Sequence, residues 1–223
     1  RGGPMSKSIH RLIDEQIKRW EMGSKEEVPI QEKVQVITIS RESGSQGFEV
    51  AKVLCNEIGF DLFDYEIVNL MVETSKNSRV LLETLDERGM NVVEDVVSNF
   101  VNKHHLWEDE YSKLLFKILT TIGKHGKAVI LGRGANCVLQ HLNIFRVRLV
   151  APLAIRRQNI QNRLDLNKEY AQKHIVSTDA NRAAFVKKYF NSDTTDSSNY
   201  DLVINTGALS VEKTVQIIKC AIT

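Results

Sequence analysis

The chain has 223 residues, of which 42% are hydrophobic and 26% are charged. These proportions are typical of a globular protein, and a chain of this length can bury an apolar core without a disulfide or a metal. The net charge of +2 argues against nucleic acid or an anionic membrane as a partner bound through bulk charge. The sequence has no apolar run of the ~18 residues that a membrane span needs. We therefore expect a cytoplasmic enzyme or binding protein, with residues 1–4, ahead of Met5, a remnant of cloning.

An amphipathic pattern opens the chain. Apolar residues recur at helical spacing from Ile9 to Trp20, which predicts a helix that ends near Gly23. The charged segment Ser24–Gln31 contains Pro29 and is predicted to be a linker. Residues 5–31 would then be an appendage to a single domain of residues 32–223. The apolar face of the helix would pack on that domain or pair with a second copy of the chain as a homo-oligomer.

Short apolar strands alternate with helices in the rest of the chain. Strands are predicted at Val34–Ile39, Asp61–Phe63, Ala128–Leu131, Phe145–Val150 and Leu202–Asn205. Helices are predicted from Val50 to Gly59, at Glu66–Thr74, around Val92–Phe100, through Leu115–Ile122, and at Leu153–Leu164, Lys168–Phe190 and Val211–Ile222, with a break at Gly123–Lys127. This alternation predicts a parallel sheet with helices on both faces and a ligand crevice beyond the carboxyl ends of the strands.

The loop Ser40–Gly47 joins the first strand to the next helix, which is the layout of a phosphate-binding loop. Small residues let the backbone curl around a phosphate, and the helix N-terminus adds N–H groups and a positive dipole end. The standard loop of this kind ends in lysine followed by Ser or Thr, whereas Phe48 and Glu49 follow Gly47 here. Taken alone, the pattern fits an ordinary strand-to-helix turn as well. Arg41 is the nearest cation that could replace the lysine.

Six segments in this order resemble the cytidylate kinase-like family, a branch of the P-loop nucleoside monophosphate kinases. They are Ile37–Gly47, Gly59–Ile67, Val129–Arg133, Ala151–Pro152 with Arg156, Asp179–Ala183 and Tyr200–Asn205. The resemblance implies a three-layer P-loop kinase fold around a five-stranded parallel sheet. It also implies a helical nucleoside-monophosphate region over residues 65–127, a lid-like region over 156–190, and phosphoryl transfer from ATP to a pyrimidine nucleoside monophosphate with Mg²⁺.

The resemblance also implies roles for individual residues. The loop residues Ser43, Gly44, Ser45, Gln46 and Gly47 would hold the ATP phosphates together with Arg41. Arg133 would bind the acceptor phosphate, and Asp64 and Asp201 would add contacts to the acceptor. The lid arginines Arg156, Arg163 and Arg182 would reach the transferring phosphates, and Asp179 would orient Arg182. The Mg²⁺ ligands stay unassigned, with Ser43, Ser45 and Glu49 as candidates.

Two departures from the family pattern leave three functional hypotheses open. Gln46 and Phe48 stand where members typically have glycine and arginine, and Asp64–Ile67 occupies the place of the classical acceptor segment Asp-Thr-Gly-Ala-Met-Tyr-Arg. The first hypothesis is a kinase of small-molecule nucleotides. The second is a nucleotide-binding or regulatory protein that has lost catalysis on the same fold. The third is a kinase of another small acceptor.

Overall fold

The structure, a computed structural model, describes residues 4–23, 34–74, 81–104 and 109–222. The helices are α1 (Pro4–Gly23), α2 (Gly47–Ile58), α3 (Tyr65–Glu73), α4 (Glu87–His104), α5 (Glu110–His125), α6 (Ala135–Val138), α7 (Leu153–Leu164), α8 (Lys168–Phe190) and α9 (Val211–Ile222). The strands are β1 (Val36–Arg41), β2 (Asp61–Phe63), β3 (Ala128–Leu131), β4 (Ile144–Val150) and β5 (Leu202–Asn205). The predicted linker Ser24–Gln31 lies outside the described residues. Within the described ranges, no helix has both the length and the apolar character that a membrane crossing requires.

The five strands form one parallel sheet in the order β2-β3-β1-β4-β5. Strand β1 is central, with Ile39 opposite Leu131 of β3 and Val147 of β4. Because neighbouring strands run in the same direction, the carboxyl ends of β1, β3 and β4 meet at one edge of the sheet. This arrangement confirms the predicted three-layer α/β fold and brings three chain segments to that edge: the loop after β1, the turn after β3 and the segment after β4.

One face of the sheet is covered by α2 and α9. Val50 and Leu54 of α2 and Val215 and Ile218 of α9 are fully buried in a core with the inward residues of β1, β3, β4 and β5. Burying an aliphatic side chain of this size stabilises a fold by roughly 1.5–3 kcal/mol. The helix that follows the loop is therefore held firmly against the sheet, which fixes the position of its N-terminus.

Several element bounds differ from the predicted ones by a few residues. Strand β1 begins at Val36 and β4 at Ile144, each within two residues of the prediction. Helix α5 runs through the predicted break to His125, where the N–H of Gly126 bonds the Ile122 carbonyl oxygen. A glycine inside a helix costs about 1 kcal/mol relative to alanine, so the buried Gly123 does not end a helix whose other residues are packed.

The chain divides into two compact units. One comprises the described residues of 4–23 and 63–126, and the other comprises residues 34–62 and 127–222. The organisation into one domain of residues 32–223 with a helical appendage stays a prediction. Helix α1 is part of the first unit because its apolar stripe, Ile13, Ile17 and Trp20, is buried there. Homo-oligomer formation through α1 stays a prediction, but these buried side chains are not available to a second copy.

The indole of Trp20 anchors α1 in the first unit. It stacks on the ring of His125, with 4.2 Å between centroids, and on Phe63 at 5.8 Å. The hydroxyl of Thr84 donates to the Leu81 carbonyl oxygen and lies 2.8 Å from Nε2 of His125. Because that hydroxyl has one proton, Nε2–H of a neutral His125 must be the donor to it. Burial lowers the pKa of His125 to about 4.

The first unit is expected to lose stability as the pH falls from about 7 towards 4. The unfolded chain binds a proton at His125 near pH 6.5, whereas the folded chain resists it down to about pH 4. The unfolded state therefore binds more protons in this window, and the free energy of unfolding decreases as the pH falls. Thermal unfolding at pH 7.5, 6 and 5 measures the effect. The variant His125→Phe keeps a ring for Trp20 and should show a shallower pH dependence; equal dependence in both proteins would contradict the prediction.

Candidate functional site

The loop between β1 and α2 has the backbone of an anion cradle. Gly44 and Gln46 both lie in the left-handed region, with φ of 84° and 59°. Gln46, the N-cap residue of α2, makes no side-chain capping hydrogen bond, and the first N–H groups of any helix lack acceptors within it. A side chain on Gly44 would collide with the backbone of Arg156. The sequence Gly-Ser-Gln-Gly therefore gives the loop its curvature and leaves a helix N-terminus able to bind an anion.

Side chains from other segments donate hydrogen bonds to the carbonyl oxygens of this loop. Nδ2 of Asn159 donates to the Gly44 oxygen over 2.8 Å, and the Thr206 hydroxyl donates to the Ser45 oxygen over 3.1 Å. Because a trans peptide points its N–H opposite to its C=O, the Gln46 N–H is turned away from Thr206. The Ser45 hydroxyl is fully buried, donates to the Glu42 carbonyl oxygen over 3.0 Å and lies 3.3 Å from the carbonyl oxygen of Leu149. The Ser45 side chain therefore stabilises the conformation of the loop.

Arg41 lies along the start of α2. Its Cγ is 2.7 Å from the point that a Cβ on Gly47 would occupy, so only glycine fits under this side chain. Its Nη1 donates over 3.4 Å to the carbonyl oxygen of Leu131, at the end of β3, and its guanidinium covers Gly132. The cation expected to replace the lysine is therefore placed between the loop and the turn after β3.

An ion-pair network joins the lid-like helices α7 and α8 to the loop. Nη1 of Arg156 is 2.6 Å from Oδ2 of Asp179, and its Nε donates to the Ala151 oxygen and lies 3.4 Å from Glu42. The other carboxylate oxygen of Asp179 accepts the Ser43 N–H over 2.7 Å. Asp179 thus binds Arg156 and the loop more closely than Arg182, which is 3.9 Å away. The sequence had assigned Asp179 to Arg182 because both lie on α8.

Arg182 stands at the carboxyl end of β1. Its Nη1 donates to the carbonyl oxygen of Arg41 over 3.2 Å. Burial lowers the pKa of Arg182, the charge of Asp179 opposes that shift, and the neighbouring cations Arg163 and Arg148 lower the pKa further. Arginine stays protonated in proteins, so the crowding is a local excess of positive charge that an anion would relieve.

Arg148 is a site residue that the sequence did not predict. It lies on β4 directly opposite Ser40 in register, donates to that hydroxyl over 2.8 Å, and stands 5.8 Å from the ring centroid of Tyr200. Two arginines, Arg146 and Arg148, on a strand whose other residues are apolar were the available signal. The pairing of β4 with β1, which no local pattern encodes, brings this charge next to the loop.

Three consecutive residues after β3 have left-handed backbones. The φ values are 88° at Gly132, 55° at Arg133 and 65° at Gly134. A non-glycine residue in this region costs on the order of 1 kcal/mol, and such strain clusters at functional sites. The guanidinium of Arg133 lies over the ring of Phe185, 5.3 Å from its centroid. The turn therefore presents the predicted acceptor arginine beside Gly132, which Arg41 covers.

The two predicted acceptor carboxylates make hydrogen bonds within their own segments of the structure. Asp64, in the first unit, caps α3 by accepting the N–H groups of Glu66 and Ile67. Asp201 precedes β5, at the opposite end of that strand from Asn205, and both its oxygens bind Arg146. The hydrogen bonds from Arg146 hold the pKa of Asp201 below its usual value. The structure brings the loop together with three predicted arginines, Arg41, Arg156 and Arg182. Asp201 binds Arg146 instead.

A cavity of about 250 Å³ opens beside the loop, between the start of α2 and helix α7. Its lining is polar apart from Ile160 and consists of Gly44, Gln46, Glu49, Asn159, Asn162 and Arg163. Within the described part of the chain, the buried Oε2 of Glu49 has no hydrogen-bond partner. A carboxylate next to a phosphate loop has the donor chemistry that Mg²⁺ prefers. The described residues contain no group of three or more His, Cys, Asp or Glu that could hold a metal by themselves.

Known proteins resemble this chain in sequence and in fold. The sequence profile of the cytidylate kinase-like family matches residues 36–208. A cytidylate kinase of Natronomonas pharaonis is 26% identical over 188 residues, which cover 84% of this chain and 88% of the relative. A cytidylate kinase of Methanocaldococcus jannaschii is 30% identical over 146 residues, or 64% and 79% of the two chains. The fold matches the crystal structure of an uncharacterized protein from Eubacterium ventriosum with a TM-score of 0.67 at 22% identity, over 86% and 98% of the chains.

Replacing Gln46 by glycine should stabilise the protein by about 1 kcal/mol, because glycine adopts the left-handed conformation without the cost that a side chain brings. The matched control is Gln158→Gly in helix α7. There the backbone is right-handed, and the same substitution should destabilise by about 1 kcal/mol. Urea unfolding followed by circular dichroism measures both changes. A loss of stability in both variants would show that the Gln46 backbone is not strained.

Proposed function

The chain belongs to the cytidylate kinase-like family, and on that premise we propose that it transfers the γ-phosphoryl group of ATP to a pyrimidine nucleoside monophosphate. Family and fold together support a nucleotide kinase. The finer choice of a pyrimidine acceptor is drawn from the relatives, which are cytidylate kinases. In the proposed reaction, a phosphate oxygen of the acceptor attacks the γ-phosphorus, and ADP leaves.

The main support for the proposal is that Arg41 and Arg182 lie close together at the phosphate loop. Arg41 lies along Gly47 at the start of α2, and Arg182 bonds the Arg41 carbonyl oxygen. Phosphoryl transfer needs little covalent chemistry from a protein, but it needs positive charge around the equatorial oxygens. Two arginines beside an uncapped helix N-terminus supply that charge. We assign to Arg41 the part that the lysine has in the standard loop.

The lid arginines divide into two roles in this proposal. Arg156 bonds Asp179, the Ala151 oxygen and the Ser43 oxygen, so we assign it to holding the loop and the lid together. Arg182 is crowded by Arg148 and Arg163, so we assign it to the charge of the transferring phosphoryl group. A planar guanidinium suits this task because it can bond two phosphate oxygens at once.

Arg133 is assigned to the acceptor phosphate. The strained turn that carries Arg133 includes Gly132, which contacts the guanidinium of Arg41. Cations at the two positions would neutralise the two phosphates that must approach each other. Asp64 remains a proposed acceptor contact. We do not assign Asp201 to the acceptor, since Arg146 binds both of its carboxylate oxygens.

The residues at the loop suit Mg²⁺ held mainly by the nucleotide. Glu49 is the residue we assign to it, because Oε2 of this carboxylate has no hydrogen-bond partner in the described ranges. Ser45 is a poorer candidate, since its hydroxyl is buried and donates to the Glu42 carbonyl oxygen. When bound, Mg²⁺ neutralises phosphate charge and usually keeps several waters, so one protein carboxylate is sufficient.

The variant Arg41→Ala is expected to lower the rate of phosphoryl transfer by on the order of 10³-fold, the usual effect of removing a positioned catalytic cation. The protein is incubated with Mg²⁺-ATP and a panel of nucleoside monophosphates and other small acceptors, and ADP and the phosphorylated products are quantified. Arg157→Ala is the matched control. This neighbour of Arg156 also carries a guanidinium but bonds Gln172 on the lid, so its removal should leave the rate within about twofold.

The outcomes of this assay separate the three hypotheses. Product from CMP or dCMP that is lost in Arg41→Ala supports the proposal. ATP binding by the folded protein without product from any acceptor favours a nucleotide-binding protein without catalysis. Turnover only with an acceptor outside the nucleoside monophosphates favours a kinase of another small molecule. An Arg41→Ala variant as active as the wild type would remove Arg41 from the mechanism.

A further inference from the structure

One face of helix α8 reaches the phosphate loop. Asp179 accepts the Ser43 N–H over 2.7 Å, and Arg182, three residues later, donates to the Arg41 carbonyl oxygen over 3.2 Å. Residues three and four apart share a helix face. The first half of this face is therefore attached to the segment that is proposed to hold the donor phosphates.

The same face continues to the turn that carries Arg133. Phe185, three residues after Arg182, places its ring 5.3 Å from the guanidinium of Arg133. The ring of Phe190 fills the space that a Cβ on Gly134 would need. Phe190 is buried and Phe185 is half-buried. Over about 16 Å of its length, helix α8 thus contacts both the loop and the turn.

We propose that Phe185 is a positioning residue that directs the guanidinium of Arg133 towards the acceptor phosphate, so that α8 fixes the spacing between the donor and acceptor phosphates. This proposal rests on the proposed function. A flexible arginine side chain adopts many rotamers, and an aromatic face restricts them. The ring attracts the flat face of the cation, whereas phosphate bonds its N–H edge. The two contacts are compatible, so Phe185 can hold the cation while it binds an anion.

The backbone of Arg133 does not by itself place its guanidinium. Its left-handed conformation fixes the direction in which the side chain leaves the chain, but not the position of the guanidinium. The ring of Phe185 lies one helical turn from Arg182, which contacts Arg41. Any movement of α8 would therefore shift the orientation of Arg133 and the contact at Arg41 together.

Steady-state kinetics of Phe185→Leu and Phe185→Tyr test the proposal with ATP and CMP as substrates. Leucine keeps apolar volume but lacks a π face, so the KM for CMP should rise roughly tenfold, while the KM for ATP stays within about twofold. Tyrosine retains the ring and should restore the wild-type KM for CMP. Thermal unfolding of both variants establishes that they are folded.

The matched control is Tyr170→Leu on the same helix. Lys173 stands 5.6 Å from the centroid of the exposed Tyr170 ring, at the opposite end of α8 from Phe190. The substitution removes a cation–aromatic pair of the same kind away from the site. It should change neither KM.

A readout that does not need catalysis follows the contact directly. The Nε–H signal of Arg133 in a ¹H–¹⁵N spectrum is identified by its absence in Arg133→Lys. The ring current of Phe185 should shift this signal, and Phe185→Leu should remove the shift. Titration with inorganic phosphate should move the signal in the wild type and require roughly tenfold more phosphate in Phe185→Leu.

The two readouts separate the two proposals. Absence of turnover with every nucleoside monophosphate, together with the expected phosphate titration, would reject the kinase and keep the positioning role. Turnover with the same KM for CMP in Phe185→Leu and the wild type would overturn the positioning role and keep the kinase. A Phe185→Tyr variant as impaired as Phe185→Leu, or an Arg133 signal that phosphate does not move, would also overturn it.

Discussion

The Arg156–Asp179 ion pair is the interaction on which the site depends, because it joins three segments that are far apart in sequence. Its carboxylate reaches Ser43 in the loop, and its guanidinium reaches Glu42 and the Ala151 carbonyl oxygen at the end of β4. A half-buried pair of this kind gains little net stability by itself, but breaking it leaves an uncompensated charge. The lid-like helices are therefore tied to the loop by a contact whose loss would be costly on either side.

The remaining charges explain why the site is suited to an anion. Arg156 has two carboxylates within 3.4 Å, whereas Arg182 has Asp179 at 3.9 Å and two arginines close enough to lower its pKa. Positive charge thus accumulates on the loop side of the ion pair. The uncapped N-terminus of α2 adds the positive end of a helix dipole at the same place. An anion bound there would meet donors that are already oriented, so little reorganisation would be needed.

Two glycines lie against the side chain of Arg41, and a larger residue would not fit at either position. Gly47 lies beneath Arg41, and Gly132 lies beneath the guanidinium of the same residue. A side chain at either position would displace the cation from the space between the loop and the turn after β3. The absence of a lysine after Gly47 and the presence of Arg41 are therefore two parts of one arrangement, in which the cation comes from the strand instead of from the helix.

The sequence by itself determined the elements, the fold class and most of the charged groups at the loop. Hydrophobic periodicity located all five strands, and the Gly-Ser loop located the cradle, because backbone curvature and strand burial are local properties. Only the tertiary structure determined which residue each charged side chain binds. Asp179 was expected to serve Arg182 but bonds Arg156, Arg148 was overlooked, and Asp201 was expected at the acceptor but binds Arg146. Hydrogen bonds join residues that are far apart in the sequence, 136 positions between Ser43 and Asp179 and 141 between Arg41 and Arg182. Only the parallel pairing of β1 with β4 and the folding of α8 back onto the loop bring such residues within bonding distance.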